Sequence, residues 1–289
     1  MSTVFYRFLL PLLFVGCTGD KNSSDTGADA VDGQNGQQDG QGQNNANPGD
    51  VPSDGIESQV VFDVTGGPYD ITETPEGVLY VSIAENGIVE WDPAINWPET
   101  LTERAGAIFG IYWHEGDIYY TTSVHRQEGS LSKLNGNTGE VLATAAGDVI
   151  FREPTDLTRA NDGAWVITDK TLETLFVVRG EDTTMYDAGV REPSSITADD
   201  LYVYVGGADG VSRIEWPTGT PEKIDDRPVN GLHIFQGELL GTNTDWGVFR
   251  VGDGNRLGFE EMRIPGRMCG DTTLYVTDWA NSGVWSASQ

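Results

Sequence analysis

Three short segments near residue 80 decide the fold of this chain. They read Gly66-Gly67-Pro68-Tyr69-Asp70-Ile71, then Gly77-Val78-Leu79-Tyr80-Val81, then Gly87-Ile88-Val89-Glu90-Trp91-Asp92. Runs of β-branched and aromatic residues separated by glycine turns are typical of short antiparallel strands. The same pattern returns until the end of the chain, so the sequence predicts a repeat array built from strands.

The apolar middle strand of each unit gives the repeat period. Six such segments occur: Leu79-Tyr80-Val81, Ile118-Tyr119-Tyr120, Trp165-Val166-Ile167, Leu201-Tyr202-Val203, Leu239-Leu240-Gly241 and Leu274-Tyr275-Val276. They follow one another at roughly 40 residues, a period typical of β-propeller blades. The 3.6-residue apolar stripes of a helical solenoid are missing.

The two ends of the chain each carry part of a blade. An extra strand, Gln59–Val64, precedes the first unit, and the chain ends just after the third strand of the last unit, Gly283–Ser286. We expect these two strands to pair, because closure removes free sheet edges that would invite aggregation. The prediction is an all-β, six-bladed β-propeller over residues 58–289.

Each of the first five units is expected to end in an outer strand. The five predicted strands are Leu101-Thr102-Glu103, Ala143-Thr144-Ala145, Thr184-Met185-Tyr186, Glu222-Lys223-Ile224 and Glu261-Met262-Arg263. The interval between the second and third units is longer than the others. It predicts an extended loop over residues 135–148 between those two blades.

Residues 1–57 have a different composition from the repeats. Arg7 and an apolar run precede Phe14-Val15-Gly16-Cys17, which resembles the lipobox of bacterial lipoproteins. We expect residues 1–17 to be a signal peptide that leaves Cys17 lipidated; an ordinary signal peptide is the alternative. Residues 18–57 are polar and acidic and are expected to be a disordered linker. The resemblance implies a cell-envelope location, at the outer membrane, anchored to the membrane through the N-terminal lipid.

The chain is strongly acidic, with 45 Asp and Glu against 17 Lys and Arg and a formal net charge of −28. A surface of this sign repels phosphate backbones, so no nucleic-acid partner is expected. The charge promotes solubility and can also attract cations or basic partners. The second cysteine, Cys269, falls in an apolar inner-strand column and is expected to be a buried core residue rather than a nucleophile.

The innermost strands of a propeller line its central channel, and several of them begin with polar residues. Carboxylate and amide oxygens are the ligands of hard cations such as Ca²⁺. We therefore predict Glu153, Asp156, Glu192 and Asn230 as candidate ligands for Ca²⁺ or another divalent cation. Further channel-lining candidates are Asp70, Ser194, Ser195 and Arg267. The alternative is that these side chains cap strand starts and bind channel water.

Two fragments, Arg227-Pro228-Val229-Asn230-Gly231-Leu232 and Tyr275-Val276-Thr277-Asp278-Trp279, resemble stretches of the SMP-30/gluconolactonase/NHL-type six-bladed propellers. The resemblance covers residues 58–289 in outline and implies a metal-dependent hydrolase of lactones or esters. Asn230 matches the Asn-Gly ligand position of that family. Gly66-Gly67-Pro68 stands where the lactonases have a metal-binding Glu-Gly-Pro, and Arg267-Met268-Cys269 stands where a later blade should supply an aspartate.

These departures decide between two hypotheses of function. A hydrolytic metal must polarise a carbonyl or activate a water, so the loss of ligands argues against it. The favoured hypothesis is a non-catalytic binding or scaffold module that presents its channel face to a protein or small-molecule ligand. The alternative is an SMP-30-like metal-dependent lactonase or esterase that uses Glu153, Asp156, Glu192 and Asn230. No catalytic residue is predicted, and enzymatic activity stays open.

Overall fold

The computed structural model describes residues 58–64, 66–83, 87–95, 97–102, 107–136, 138–259 and 261–288. The predicted signal peptide, Cys17 and the linker over 18–57 lie outside the described residues. The described residues form strands, turns and irregular segments. Among them there is no helix with the length and apolar character needed to cross a membrane.

The strands follow one another as the repeat period predicts. In chain order they are β1 (Ser58–Asp63), β2 (Pro68–Glu73), β3 (Leu79–Ile83), β4 (Gly87–Asp92), β5 (Trp97–Thr102), β6 (Ala107–His114), β7 (Asp117–Val124), β8 (Glu128–Asn135), β9 (Thr138–Ala143), β10 (Ala145–Ala146), β11 (Val149–Ile150), β12 (Pro154–Arg159), β13 (Trp165–Asp169), β14 (Thr174–Arg179), β15 (Asp182–Asp187), β16 (Ser195–Ala198), β17 (Tyr202–Gly207), β18 (Gly210–Glu215), β19 (Glu222–Asp225), β20 (Gly231–Phe235), β21 (Glu238–Asn243), β22 (Gly247–Arg250), β23 (Pro265–Cys269), β24 (Thr273–Asp278) and β25 (Gly283–Ser288).

These strands build six antiparallel blades. Blades 1 to 4 have four strands each, β2–β5, β6–β9, β12–β15 and β16–β19. Blade 5 is β20–β22, and blade 6 is β23, β24, β25 and β1. The first strand of every blade contacts the first strand of the next, in the order β2, β6, β12, β16, β20, β23 and back to β2. The first strands therefore form a closed inner ring, and the predicted six-bladed propeller is confirmed.

Blade 6 is completed by the two ends of the described chain. Strand β1 pairs antiparallel with β25, with Ser58 opposite Ala287 and Asp63 opposite Gly283. Phe62 on β1 stacks on Trp91 of blade 1, with ring centroids 5.1 Å apart and planes within 9°. The predicted closure by the N- and C-terminal strands is confirmed. Strand β1 also joins the packing between blades 6 and 1.

The hydrophobic core of the described residues is divided among the contacts between blades. Six clusters of buried apolar side chains occur, and each one joins two neighbouring blades. One cluster, for example, joins Val166 and Val177 of blade 3 to Val203 and Val205 of blade 4. Burial of apolar side chains on both faces of each sheet holds the ring together and leaves the central channel to polar residues.

The predicted outer strand of blade 5 is wrong. Residues 261–263 are not a strand, and blade 5 has only an isolated bridge, Phe249 to Arg256, beyond β22. Gly252, Gly254, Gly258 and Phe259 all have positive φ, and this breaks the extended run that a fourth strand needs.

The predicted loop over residues 135–148 is also wrong. The outer strand β9 begins at Thr138, pairing with Asn135, instead of lying at 143–145. The hairpin of β10 and β11 follows it. The longer interval between the second and third units is therefore an added hairpin rather than an unstructured connection.

Candidate functional site

Polar side chains of the inner ring bind the backbone of the next blade. Asp70 accepts the amide of Ile71 at 2.8 Å with Oδ1 and that of Ile111, in blade 2, at 2.7 Å with Oδ2. Asp156 accepts Leu157 N at 2.7 Å and Ile196 N, in blade 4, at 2.9 Å. Each carboxylate thus satisfies two amides of neighbouring inner strands. Both aspartates are the third residues of their inner strands, β2 and β12.

Ser195 repeats this contact in blade 4. Its Oγ accepts the amide of Leu232, in blade 5, at 2.7 Å. Ser195 is fully buried and contributes to neither of the two cavities described below, unlike Asp70, Ser194 and Arg267. Its predicted place in the channel lining is therefore corrected to a link between inner strands.

The guanidinium of Arg267 lies where these strands converge. Arg267 is 3% exposed, and Nη2 donates to Thr155 O at 3.4 Å and to Ser194 O. Nη1 donates to Asn230 O. One cation therefore binds carbonyl oxygens from blades 3, 4 and 5.

Two further contacts hold the same side chain. Arg267 Nε lies 3.5 Å from Asp156 Oδ2 and has no hydrogen bond within the described residues. The guanidinium carbon lies 5.4 Å from the ring centroid of Tyr69, in blade 1. Arg267 is thus an internal cation that links blade 6 to four other blades.

Burial controls the ionisation of the two inner aspartates. Burial, followed by the charge of Asp156, raises the pKa of Asp70 well above its ordinary value. Burial also raises the pKa of Asp156, and the Arg267 guanidinium partly offsets that rise. The channel therefore holds two carboxyls that resist ionisation beside one guanidinium.

These pKa shifts predict how Asp70 affects stability. A carboxyl whose pKa is higher in the folded state binds its proton more tightly there, so its contribution to stability falls as pH rises from its unfolded value near 3.8 through the raised value. We expect the wild type to lose stability relative to Asp70→Asn as the pH rises above about 4. Urea unfolding of both proteins over a series of pH values measures the difference between them. The burial of His233 lowers its pKa and produces the opposite trend, but it does so in both proteins and cancels in the difference. A difference that does not change with pH would contradict the assignment.

A cleft opens at the channel end where the inner strands begin. We call it the mouth cleft; it has a volume of about 300 Å³ and is lined by Pro68, Tyr69, Lys170, Glu192, Ser194, Ala208, Pro228, Val229, Asn230, Ile264, Pro265, Gly266, Arg267 and Trp279. Trp279 is 54% exposed, and Gly67 lies so close to its indole that a Cβ there would collide with the ring. Lys170 Nζ lies 3.5 Å from Glu192 Oε2. The cleft thus combines an exposed aromatic ring with a charged pair.

A second cavity occupies the other end of the channel. We call it the lumen cavity; it has a volume of about 420 Å³ and is lined by residues 70–75, 111–114, 156–158, 196–197, 232–233 and 267–271. Arg267 is the one described residue that lines both cavities. Its side chain marks the boundary between the mouth cleft and the lumen cavity.

The four predicted metal ligands do not meet at one point. Glu192 and Asn230 line the mouth cleft, Asp156 lines the lumen cavity, and Glu153 lines neither. Glu153 is held by Arg126 Nε at 3.1 Å and by the Thr171 hydroxyl at 2.8 Å. Asn230 Nδ2 donates to Pro265 O at 3.0 Å. Among the described residues there is no group of three or more His, Cys, Asp or Glu placed to hold a metal.

These side chains therefore do not fit a resident divalent cation. A hard cation needs about six oxygen ligands at 2.3–2.6 Å. Here the candidate oxygens are already used by backbone amides, Arg126, Thr171 and Lys170. At the convergence of the inner strands, the carbonyls that could face a metal accept hydrogen bonds from Arg267 instead.

The sequence did not point to Lys170 as a residue of the channel mouth. Lys170 follows β13 directly, and Trp279 follows β24 in the same way. The turns between the second and third strands lie on the same face of a propeller as the starts of the inner strands. The residue that follows the second strand of each blade is therefore expected at the channel mouth, and this rule would have identified Lys170 from the sequence.

Comparison with known proteins supports the fold. No family model matches the chain, and no curated protein matches its sequence. Among solved structures, the gluconolactonase XC5397 from Xanthomonas campestris has a TM-score of 0.66 at 12% identity, over 81% of this chain and 89% of that one.

Two further solved structures of other activities share the fold. The PQQ-bound aldose sugar dehydrogenase from Streptomyces coelicolor has a TM-score of 0.61 at 12% identity, over 82% of this chain and 99% of that one. Virginiamycin B lyase from Staphylococcus aureus has a TM-score of 0.57 at 11% identity, over 81% of this chain and 99% of that one. At such identities the likeness concerns the fold and carries no activity across. The chain is thus a six-bladed β-propeller similar in fold to the gluconolactonases, as its sequence fragments predict.

Proposed function

We propose that this chain is a non-catalytic binding module that takes its ligand in the mouth cleft. The observation that carries the proposal is the use of Arg267 as the central cation of the channel. Its guanidinium donates hydrogen bonds to carbonyl oxygens of three blades, and the neighbouring aspartates accept hydrogen bonds from backbone amides. The two aspartates and the three carbonyls at the convergence therefore already have hydrogen-bond partners within the protein.

The mouth cleft has the chemistry of a small-molecule site. Trp279 offers an exposed ring for stacking, and Lys170 and Glu192 offer one charge of each sign at its rim. Its volume of about 300 Å³ falls at the lower end of the range for ligand pockets. The ligand that fits is a small ring compound with polar substituents. Lipidation of Cys17 would hold the module at the cell envelope, facing ligands outside the inner membrane.

The second candidate is a metal-dependent hydrolase of lactones or esters, acting through Glu153, Asp156, Glu192 and Asn230. It is favoured by the shared fold of a solved gluconolactonase. The separation of the four side chains opposes it, because a metal ion must contact several of them at once.

An assay of hydrolysis separates the two candidates. The protein is incubated with glucono-δ-lactone and with p-nitrophenyl acetate, in Ca²⁺, Mn²⁺ or Zn²⁺ and in chelator. In every case we expect hydrolysis to be no faster with the protein than in buffer alone. Metal-dependent turnover that falls in Asn230→Ala or Glu153→Gln would reject the binding-module proposal.

Ligand binding is tested by thermal unfolding with a set of sugars, nucleosides and aromatic acids. A ligand at 100 times its Kd adds about 2.7 kcal/mol of stability, which raises Tm by roughly 5–10 °C in a domain of this size. We expect the compounds that raise Tm in the wild type to lose that effect in Trp279→Ala. Shifts that persist in Trp279→Ala would place the binding site outside the mouth cleft.

A further inference from the structure

The proposed function does not use the lumen cavity. The inner strands of all six blades contribute to its wall, and its volume of about 420 Å³ lies within the range of small-ligand sites. Its lining includes Thr74 and Pro75, which follow β2, and Gly270 and Asp271, which follow β23, so it opens where the inner strands end. The mouth cleft lies at the opposite ends of the same strands.

Carboxyl groups outnumber basic side chains along this cavity. Asp70 and Asp156 lie near Arg267, and Glu73 and Asp271 lie toward the opening. Arg267 is the one Lys or Arg in the described lining. Glu73 pairs with Leu79 of β3 through its backbone, but neither its carboxyl group nor that of Asp271 has a hydrogen bond or ion pair to a described residue. Burial and the charge of Asp271 both raise the pKa of Glu73, as expected for two carboxylates without a cation between them.

A buried hydroxyl in the same wall also lacks a partner. Thr158, on β12, is 4% exposed and lines the lumen cavity, and its hydroxyl has no hydrogen bond to a described residue. Thr72, also in the lining, differs because its hydroxyl accepts the amide of Trp113 at 3.1 Å. Buried hydroxyls are normally hydrogen-bonded, so the Thr158 hydroxyl offers a hydrogen-bonding group to a molecule in the cavity.

The remaining wall suits an organic cation better than a metal. Trp113 contributes an aromatic side chain, and aromatic faces attract ammonium groups. No three acids or histidines of the described chain are grouped as metal ligands. The carboxylates are instead distributed along the cavity, with two near each end.

We propose that the lumen cavity binds a small aliphatic diamine. One ammonium group lies between Glu73 and Asp271 at the opening. The other lies beside Asp70, whose carboxyl it would hold in the ionised form, while Arg267 pairs with Asp156, and the Thr158 hydroxyl accepts a hydrogen bond from it. The methylene chain packs against Trp113.

Calorimetric titration of the full chain with putrescine tests this proposal. We expect one site per chain, with no saturable heat from 1,4-butanediol, which has the same length and no charge. Glu73→Gln and Asp271→Asn should each weaken binding by at least about tenfold, because each removes a charged hydrogen-bond partner. Asp271 is exposed, so its substitution leaves the core intact. Thr158→Val should weaken binding by a smaller factor.

A control separates a specific site from attraction to an acidic surface. Glu181→Gln removes the same charge from an exposed turn in blade 3, away from both cavities, and should leave the putrescine Kd unchanged. Equal weakening in Glu181→Gln and Asp271→Asn would overturn the proposal, and so would the absence of saturable binding. Displacement of putrescine by equimolar Ca²⁺ would overturn it as well, because the site would then belong to an inorganic cation.

Discussion

Replacing Arg267 with methionine should lower the free energy of unfolding by about 3–5 kcal/mol, as expected when one partner of a buried ion pair is removed. Methionine keeps much of the side-chain volume and removes every donor to Thr155 O, Ser194 O and Asn230 O. Asp156 would also lose the cation 3.5 Å from its Oδ2. Urea unfolding followed by tryptophan fluorescence measures the change.

Arg263→Met is the matched control, because Arg263 precedes the same strand and is exposed. It should change stability by less than about 0.5 kcal/mol. A loss below about 1 kcal/mol in Arg267→Met would show that the guanidinium does not hold the blades together.

The same site offers a chemical rescue. In Arg267→Ala the truncated side chain leaves space beside the three carbonyls and Asp156. Methylguanidinium at millimolar concentration should restore part of the lost stability, and methylurea, which is uncharged, should not. Equal effects of the two compounds would mean that the carbonyls do not require a cation.

Truncation of Phe62 to alanine should destabilise the fold by about 3–5 kcal/mol, the usual range for a buried phenylalanine. Phe62 is 9% exposed and stacks on Trp91, so it joins the closing strand β1 to the neighbouring blade. Val60→Ala, on the same strand but 48% exposed, should have a much smaller effect. Chemical denaturation measures both variants. Equally small losses would show that β1 contributes little to closure.

The ring could be predicted from the sequence because its evidence is periodic. Apolar middle strands recur at a blade's length, and the extra strand at Gln59–Val64 leaves a partner only at the other end of the chain. The outer strands were less predictable, because they are exposed and carry weak apolar patterns. In blade 5 the positive φ of three glycines and Phe259 over residues 252–259 prevents an extended strand before the predicted one at 261–263.

The candidate site was predictable in position and less so in chemistry. Asp70 and Asp156 lie on inner strands at the channel, as expected. An aspartate at a strand start can face either a cation or two backbone amides, and the sequence is the same in both cases. The outcome depends on the amide of the next blade, about 40 residues away in the chain. The central position of Arg267 likewise depends on blade packing and not on local sequence.

Calorimetric titration of the purified protein with Ca²⁺, Mn²⁺ and Zn²⁺ shows whether the guanidinium of Arg267 is the resident cation of the channel. We expect no saturable heat from the wild type with any of the three ions. Binding of one ion per chain that is abolished by Asp156→Asn or Asn230→Ala would contradict it.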